Sequence, residues 1–355
     1  MLTALSILLV FGLMIMFHEF GHFLVAKKAG IKVLEFAFGF GPKLFGIKGK
    51  ETLYSVRIFP LGGFVRFLSA EEIEEIEEID LESKQELLKR SFESKSIWRK
   101  MSVIVAGPIM NFVLGALLFV MIFAWFGVPT ASNDNVIGSI VVDKPAATVG
   151  LSAGDRIISV NGIDTPDWNS VTQQIHSRPG EKIAFKIEKA KTGEIITMEI
   201  TPEYDQQSGR GLIGISPNIV SQKVSVLKAV QYGLQQTVEF TRLVVVLIIQ
   251  MITGEVPVEL SGPVGIVQVI GEGARQGISS LLSLTAILSI QFGILNLLPI
   301  PALDGGQLVV LTYEGIRRKP LAPEKKGWIQ LTGFALLMAL MIAVTYKDIL
   351  RILTR

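Results

Sequence analysis

The chain has 355 residues, a net charge of +2, and only 19% charged residues, below the roughly 25% of a typical soluble domain. The near-neutral charge and the absence of basic runs mixed with aromatics argue against a nucleic-acid partner. With no cysteine, disulfides, thiolate-bound zinc and thiol catalysis are excluded, so any metal must be held by His, Asp or Glu. Hydrophobic residues make up 49% and cluster in long runs, which predicts a membrane protein.

The first long apolar run covers residues 2–26, enough for one membrane helix of about 20 residues. Lys27 and Lys28 follow it and no basic residue precedes it, so the run lacks the basic start of a cleavable signal peptide. The positive-inside rule places its C-terminal end in the cytoplasm.

Two segments follow that need not cross the membrane. Residues 51–68 show β-type alternation broken by a proline and paired glycines, which predicts two strands and a turn. This hairpin must be covered by protein or lie at the membrane interface, because an open sheet edge cannot face lipid. Residues 70–90 carry Ile73, Ile76 and Ile79 among glutamates, a spacing that favours a solvated amphipathic helix.

A second membrane helix is predicted over residues 101–126, entered from the cytoplasm because Lys95, Arg99 and Lys100 precede it. Residues 127–218 then turn globular. Their stretch "DKPAATVGLSAGDRIISVNG" resembles a PDZ domain of the kind found in bacterial proteases. Such a domain would bind peptide by strand addition at a sheet edge, or would merely block access to the membrane part.

The remainder divides into residues 219–279 and 280–355. Within the first, the apolar part of the helical stretch 224–252 has about ten residues, so we expect an amphipathic helix on the membrane surface rather than a crossing. Two further spans are predicted over 280–298 and 327–346, joined by a basic loop. Four crossings of a bacterial plasma membrane leave both termini and the PDZ domain outside.

The first helix ends in "HEFGH", an H-E-x-x-H pattern. His18 and His22 are four residues apart, so on a helix they share one face and can hold one zinc ion. Glu19 then lies beside the metal, where it can take a proton from a zinc-activated water. Ionisable groups at membrane depth are expensive and usually functional, so a chance occurrence is disfavoured.

A third ligand should be another His, Asp or Glu at membrane depth. The remaining histidine, His176, falls in the PDZ-like domain and is expected to be a surface residue. Asp304, in "NLLPIPALDGG", follows two helix-breaking prolines and precedes two glycines that allow close backbone approach. From the residues alone it fits either a zinc ligand or the N-cap of the following helix.

Two amides complete the candidate set. Asn296 lies about two turns before Asp304, where it can hydrogen-bond a substrate backbone or a developing oxyanion. Asn111 in the second membrane helix can line the same cavity. Each equally fits a helix–helix hydrogen bond worth about 1 kcal/mol.

Several separated motifs together resemble the site-2 protease family of intramembrane zinc metalloproteases, and most of all its bacterial regulator-of-sigma-E type. They are "HEFGH" (18–22), "EFAFGFGPKLF" (35–45), "PLGGFVRF" (60–67), "AGPIMNFVLG" (106–115), the PDZ-like domain, "LSGPVGI" (260–266) and "NLLPIPALDGG" (296–306). They span nearly the whole chain in order, although this chain has room for only one PDZ domain where some relatives have two.

The resemblance implies that His18, His22 and Asp304 bind Zn²⁺, that Glu19 is the base and that Asn296 assists. It also implies a fold of about four transmembrane helices with a membrane-associated β-hairpin and an inserted α/β PDZ domain. The hairpin is expected to contact the substrate near Gly62 and Gly63. Expected substrates are single-span membrane proteins, such as trimmed anti-sigma factors or remnant signal peptides, embedded in membrane lipid.

The sequence is therefore interpreted as a zinc metalloendopeptidase that cuts within or beside a substrate's transmembrane helix. One alternative is a non-catalytic membrane scaffold whose PDZ-like domain binds partner tails. A metal transporter is another, but such a protein needs further polar residues along its spans, and few are present.

Overall fold

The computed structural model describes residues 2–74, 80–206, 208–257 and 262–353. The chain divides into two compact units: a membrane unit of residues 1–125 and 225–355, and an inserted unit, Phe126–Val224. The helices are α1 (Leu2–Lys28), α2 (Ala70–Glu74), α3 (Leu81–Lys89), α4 (Ile97–Phe126), α5 (Pro145–Thr148), α6 (Trp168–His176), α7 (Val226–Thr253), α8 (Pro263–Gln276), α9 (Ile278–Leu297), α10 (Asp304–Arg317) and α11 (Pro323–Leu353). The strands are β1 (Val33–Lys48), β2 (Leu53–Phe67), β3 (Val128–Ala131), β4 (Ile137–Ile140), β5 (Arg156–Val160), β6 (Ile163–Asp164), β7 (Ile183–Glu188), β8 (Ile195–Ile200), β9 (Glu203–Asp205), β10 (Arg210–Leu212), β11 (Ile215–Pro217) and β12 (Ile219–Gln222).

Within the described residues, five helices are long and apolar enough to cross a membrane. Four of them, α1, α4, α9 and α11, contain the four predicted spans. The fifth is α7, for which the sequence predicts a surface helix because its apolar run is short. The structure joins that run and the polar turns before it into one continuous helix of 28 residues, so α7 is also a candidate span by length.

The predicted hairpin exists, but its placement within residues 51–68 was wrong. Instead of two strands, this segment contains one strand, β2, and the antiparallel partner of β2 is β1. The sequence reading missed β1 because its glycines and proline resemble loop signals. The Pro-Leu-Gly-Gly of residues 60–63 lies within β2 and does not end it.

The first part of β1 is paired on both of its sides by different parts of β2. Phe36 in β1 has Val65 as its Cα partner on one side and Tyr54 on the other. Residues 33–38 therefore lie between residues 53–56 and residues 63–67. The segment 63–67 is left with one edge unpaired by the hairpin, and α1 packs against β2.

The acidic segment after the hairpin was predicted to be one amphipathic helix. Two short helices, α2 and α3, flank residues outside the described part of the chain, where Ile76 and Ile79 fall. Ile73 in α2 is fully buried, as an apolar stripe requires. Asp80 caps α3 by accepting a hydrogen bond from the Ser83 backbone N–H at 2.8 Å.

The inserted unit is an α/β domain with its own core. Its main sheet has the order β6-β5-β7-β8, and fully buried side chains from it include Ile157, Phe185 and Ile187. Pairing of β12 with β3 carries the domain to Gln222, beyond the predicted limit at residue 218. The structure confirms the predicted architecture of a polytopic helical membrane protein with a β-hairpin and an inserted α/β domain.

Candidate active site

The two histidines of HEFGH lie one turn apart on α1 and point into the membrane unit. Both are buried, and their Nε2 atoms are 3.2 Å apart. The third predicted ligand, Asp304, is brought beside them at the start of α10. Its Oδ2 lies 3.1 Å from His18 Nε2 and 3.5 Å from His22 Nε2.

The N-cap alternative for Asp304 was wrong. The N-cap residue of α10 is Leu303, and Asp304 is the first helical residue. The chain reaches this position through a tight return from α9, in which Ala302 has a left-handed φ of 74°. A Cβ on Gly305 would lie 2.1 Å from Leu298 O, so only glycine allows so close an approach.

The separations of the three ligand atoms fit one tetrahedral zinc ion. With bonds of about 2.0–2.1 Å, two ligands of such an ion lie about 3.3 Å apart. The observed 3.1, 3.2 and 3.5 Å bracket this value. Among the described residues, buried Asp304 Oδ2 forms no well-aligned hydrogen bond, although both histidine Nε2 atoms lie within 3.5 Å of it. The donor set therefore fits a cation.

His22 is oriented by the neighbouring helix α4. Its Nδ1 lies 2.8 Å from the Val103 carbonyl, so Nδ1–H donates there and Nε2 keeps its lone pair for a metal. Close packing makes this contact possible. A Cβ on Gly21 would lie 2.2 Å from Ala106 O, and one on Gly107 would lie 2.3 Å from His22 Nε2.

His18 is oriented by Asn111, also on α4. The Asn111 side-chain amide is fully buried and lies 3.0 Å from His18 Nδ1. Within the described chain, Asn111 Oδ1 is a second buried polar atom without a partner. Turning Oδ1 toward the ring lets His18 Nδ1–H donate to it, which satisfies the amide and frees Nε2 for a metal. The sequence left Asn111 either to line the cavity or to form a helix–helix hydrogen bond, and its contact with His18 joins α4 to α1 as the second alternative expects.

A cavity of about 490 Å³ opens beside these groups. Glu19 and Asn296 line it together with Gln307, which lies one turn after Asp304 on α10. Asn296 Nδ2 is a third buried polar atom for which the described residues offer no partner. Because Asn296 also lines the cavity, its amide is a candidate donor to a substrate carbonyl there.

The hairpin supplies the opposite wall of the cavity. Gly62, Gly63 and Phe64 of β2 line it together with Phe40 of β1. A Cβ on Gly63 would lie 3.2 Å from Glu19 Cγ, so the strand passes directly over the glutamate. His176 is not in this unit: it ends α6 in the inserted unit and is half-buried.

The sequence reading missed three contributors to the site. They are the Val103 carbonyl, the close packing at Gly21 and Gly107, and the cavity-lining Gln307. The glycines carried a signal, since Gly21 lies inside HEFGH and Gly107 inside AGP. A backbone carbonyl has none, because any residue supplies one.

The sequence model of peptidase family M50 matches residues 6–340. The chain is 35% identical to the zinc metalloprotease RasP of Geobacillus kaustophilus, with 98% of this chain and 97% of the relative aligned. It is 33% identical to the regulator of sigma-W protease RasP of Bacillus subtilis, with 99% of each aligned. Among solved structures, the PDZ domain of an SdrC-like protein from Listeria innocua aligns over 100% of its own length with 26% of this chain. The sequence identity is 25% and the TM-score is 0.22.

Proposed function

Because the chain belongs to peptidase family M50, it is an intramembrane zinc metalloprotease, and we propose that His18, His22 and Asp304 bind its zinc ion while Glu19 acts as the base. The single observation that carries this proposal is the convergence of three buried ligand atoms at the separations a tetrahedral ion requires. Zinc, when bound, polarises the scissile carbonyl and lowers the pKa of water.

The protein's own groups perform the proton transfers and the positioning. Glu19 takes a proton from the attacking water and delivers it to the leaving amine. Asn296 donates its free amide N–H to the scissile carbonyl as negative charge develops on the oxygen. Val103 and Asn111 hold the histidine rings in the tautomers that keep Nε2 free of a proton.

The hairpin holds the substrate in extended form. A helical substrate hides its carbonyls in hydrogen bonds, so it must unwind before hydrolysis. Residues 63–65 have one edge that β1 does not pair, and Gly63 lies close to Glu19, so an unwound segment can add to this edge as a strand. Gly63 leaves the space beside Glu19 free of a side chain, and Gly62 makes room for the Phe40 ring.

The active site opens toward the cytoplasm, and both termini and the PDZ domain lie outside. Lys27 and Lys28 form the end of α1, on the side of the membrane to which HEFGH is close, and this supports the orientation. The contacts His22–Val103 and His18–Asn111 show that α1 and α4 run antiparallel, so α4 starts at the side where α1 ends.

A surface position for α7 is consistent with this orientation. Gly233 packs against Val120, so α7 starts near the outer end of α4. The next helix, α8, is again at the outer side, where Gly271 packs against Thr3 of α1. A crossing by α7 would require a return crossing between them. The 14 residues of α8 reach only about 21 Å of the roughly 30 Å needed.

The substrates are single-span membrane proteins, including anti-sigma factors and remnant signal peptides. The name of the Bacillus subtilis relative, a regulator of sigma-W protease, supports the first class. The inserted PDZ domain binds a peptide of the substrate or of a partner at a sheet edge.

The test is cleavage of a single-span reporter by the purified protein in liposomes. Wild type cuts the reporter, a chelator abolishes cutting, and added zinc restores it. A protein that binds the reporter without cutting it, with or without zinc, would support the scaffold alternative and contradict this proposal.

A further inference from the structure

A buried ionic network lies inside the hairpin and has no role in the chemistry described above. Glu35 of β1 is 5% exposed and accepts hydrogen bonds from Ser55 Oγ at 2.5 Å and Arg57 Nη2 at 2.8 Å. A buried carboxylate is costly unless it is paired, and the partly exposed Arg57 supplies the opposite charge here.

Arg57 connects this network to the bend of the other strand. Its Nη1 donates a hydrogen bond to the Gly41 carbonyl at 2.7 Å, so one guanidinium ties Glu35 to the β1 bend. Gly41 and Gly39 both have left-handed φ angles, 82° and 91°, and a bend of this kind gains rigidity from a donor that fixes its carbonyl.

Arg57 also contacts the wall of the active-site cavity. Its guanidinium carbon lies 4.9 Å from the centre of the Phe64 ring, a cation–π distance. The Phe64 ring in turn stacks on Phe40, with centroids 6.4 Å apart and planes 12° apart. Both rings line the cavity beside Glu19.

We propose that Arg57 is a positioning residue for substrate binding, which fixes the Phe40–Phe64 ring pair as the surface on which the unwound substrate segment packs. The planar fork of arginine is required, because it must reach Glu35 and Gly41 while its face covers Phe64. The inference rests on the proposed function of the hairpin as the substrate-binding strand. It assigns to Arg57 an effect on KM rather than on the chemical step.

The test compares single-span reporter cleavage by wild type, Arg57→Gln and Arg57→Lys, with bound zinc measured in each. Arg57→Gln is expected to raise KM about tenfold with zinc retained and kcat changed much less, the pattern of lost binding. Arg57→Lys keeps the charge but not the planar fork of the guanidinium. Its KM is therefore expected to lie between those of wild type and Arg57→Gln. Lys48→Gln, which removes an exposed charge from β1, is the matched control and keeps the wild-type KM.

A double-mutant cycle with Phe64→Ala tests whether Arg57 acts through the ring. If it does, Arg57→Gln raises KM less than about twofold in the Phe64→Ala background. Full additivity, or a wild-type KM for Arg57→Gln, would overturn the inference. Should Arg57→Gln fail to accumulate, Glu35→Gln removes the same anchor with little change of shape and is held to the same criteria. Failure of wild type to cut any reporter would instead contradict the proposed function.

Discussion

Each of the two histidines proposed to bind zinc uses one ring nitrogen to fix the orientation of the other. His22 Nδ1 meets a backbone carbonyl and His18 Nδ1 meets a side-chain amide. These contacts set which nitrogen carries the proton, and so which lone pairs face Asp304. The two partners differ in how they can be tested. Substitution cannot remove the Val103 backbone carbonyl, but it can remove the Asn111 side-chain amide.

Asn111→Ala is therefore expected to lower zinc affinity by about 10–100-fold, because His18 loses the partner that holds its tautomer. Competition with a chromogenic chelator measures this directly on the purified protein. Ser289→Ala is the matched control, since Ser289 hydrogen-bonds the Asn111 backbone carbonyl and not its side chain. Unchanged zinc affinity in Asn111→Ala would contradict the role given to this residue.

Asn296 should show the opposite pattern. Asn296 lines the cavity, and its Nδ2 has no hydrogen-bond partner among the described residues. Asn296→Ala is expected to keep bound zinc and to lose about 10²–10³-fold in kcat, as removal of an oxyanion donor does. Reporter kinetics with zinc quantified in the same samples measure both. Loss of zinc in this variant would make Asn296 a structural residue of the metal site.

At this scale the sequence identified the three residues that the structure brings together but not the groups that orient them. His18 and His22 follow from a helical period of four, and Asp304 required either the resemblance or the fold, because its partners are nearly 300 residues away. The alternative role of Asp304 as an N-cap is excluded only by the structure, in which Leu303 is the N-cap residue of α10. The local sequence does not contain that information.

Among the secondary-structure elements, the hairpin decides how a substrate meets the site. Its strand β2 passes over Glu19 where a side chain would obstruct, and glycine at residue 63 avoids the obstruction. Phe40 occupies the space beside Gly62, where a Cβ would lie 1.9 Å from its ring. Both glycines therefore shape one wall of the cavity.

Gly63→Val is expected to cut turnover strongly while leaving zinc content intact, because its side chain enters the space beside Glu19 without reaching the ligands. The measurement is reporter cleavage beside zinc analysis. Gly49→Val, at the turn of the same hairpin and outside the cavity, controls for general damage to the hairpin. Wild-type turnover in Gly63→Val would show that the substrate does not use this strand.

The hairpin also shows where sequence patterns mislead. The Pro-Leu-Gly-Gly of residues 60–63 signals a turn, yet the strand continues on both sides of it, and the turn of the hairpin lies at residues 49–52. Glycines in β1 hid a strand because the pattern cannot tell a bend within a folded-back sheet from a loop. The helices were easier, because a membrane span needs only length and apolar composition.

For the molecule as a whole, the separate core of the inserted unit predicts that residues 126–224 fold alone. Asp155 is an anchor of this unit, 1% exposed and hydrogen-bonded by Lys189 Nζ at 2.6 Å, Ser152 N at 2.9 Å and Ala190 N at 3.1 Å. Burial opposes its ionisation, but these donors outweigh burial and lower the pKa of the Asp155 carboxyl.

A lowered carboxyl pKa stabilises the fold at pH values above the unfolded-state pKa of about 3.9, and this contribution disappears as the pH falls through the lower native value. Asp155→Asn is expected to cost about 2 kcal/mol at neutral pH and less as the pH falls below about 4. Urea unfolding of the excised unit at several pH values measures this. An equal cost at acid and neutral pH would contradict the ionic role of Asp155.

The central claim is that Glu19 performs proton transfer at a zinc site held by His18, His22 and Asp304, and one comparison tests it most directly. Wild type and Glu19→Gln are assayed for cleavage of a single-span reporter in liposomes, with bound zinc counted in both. We expect equal zinc in the two proteins and a rate lower by about 10²–10⁴-fold in the variant. A Glu19→Gln protein that keeps its zinc and cuts at the wild-type rate would contradict the claim, and an absence of zinc from both would contradict the ligand assignment.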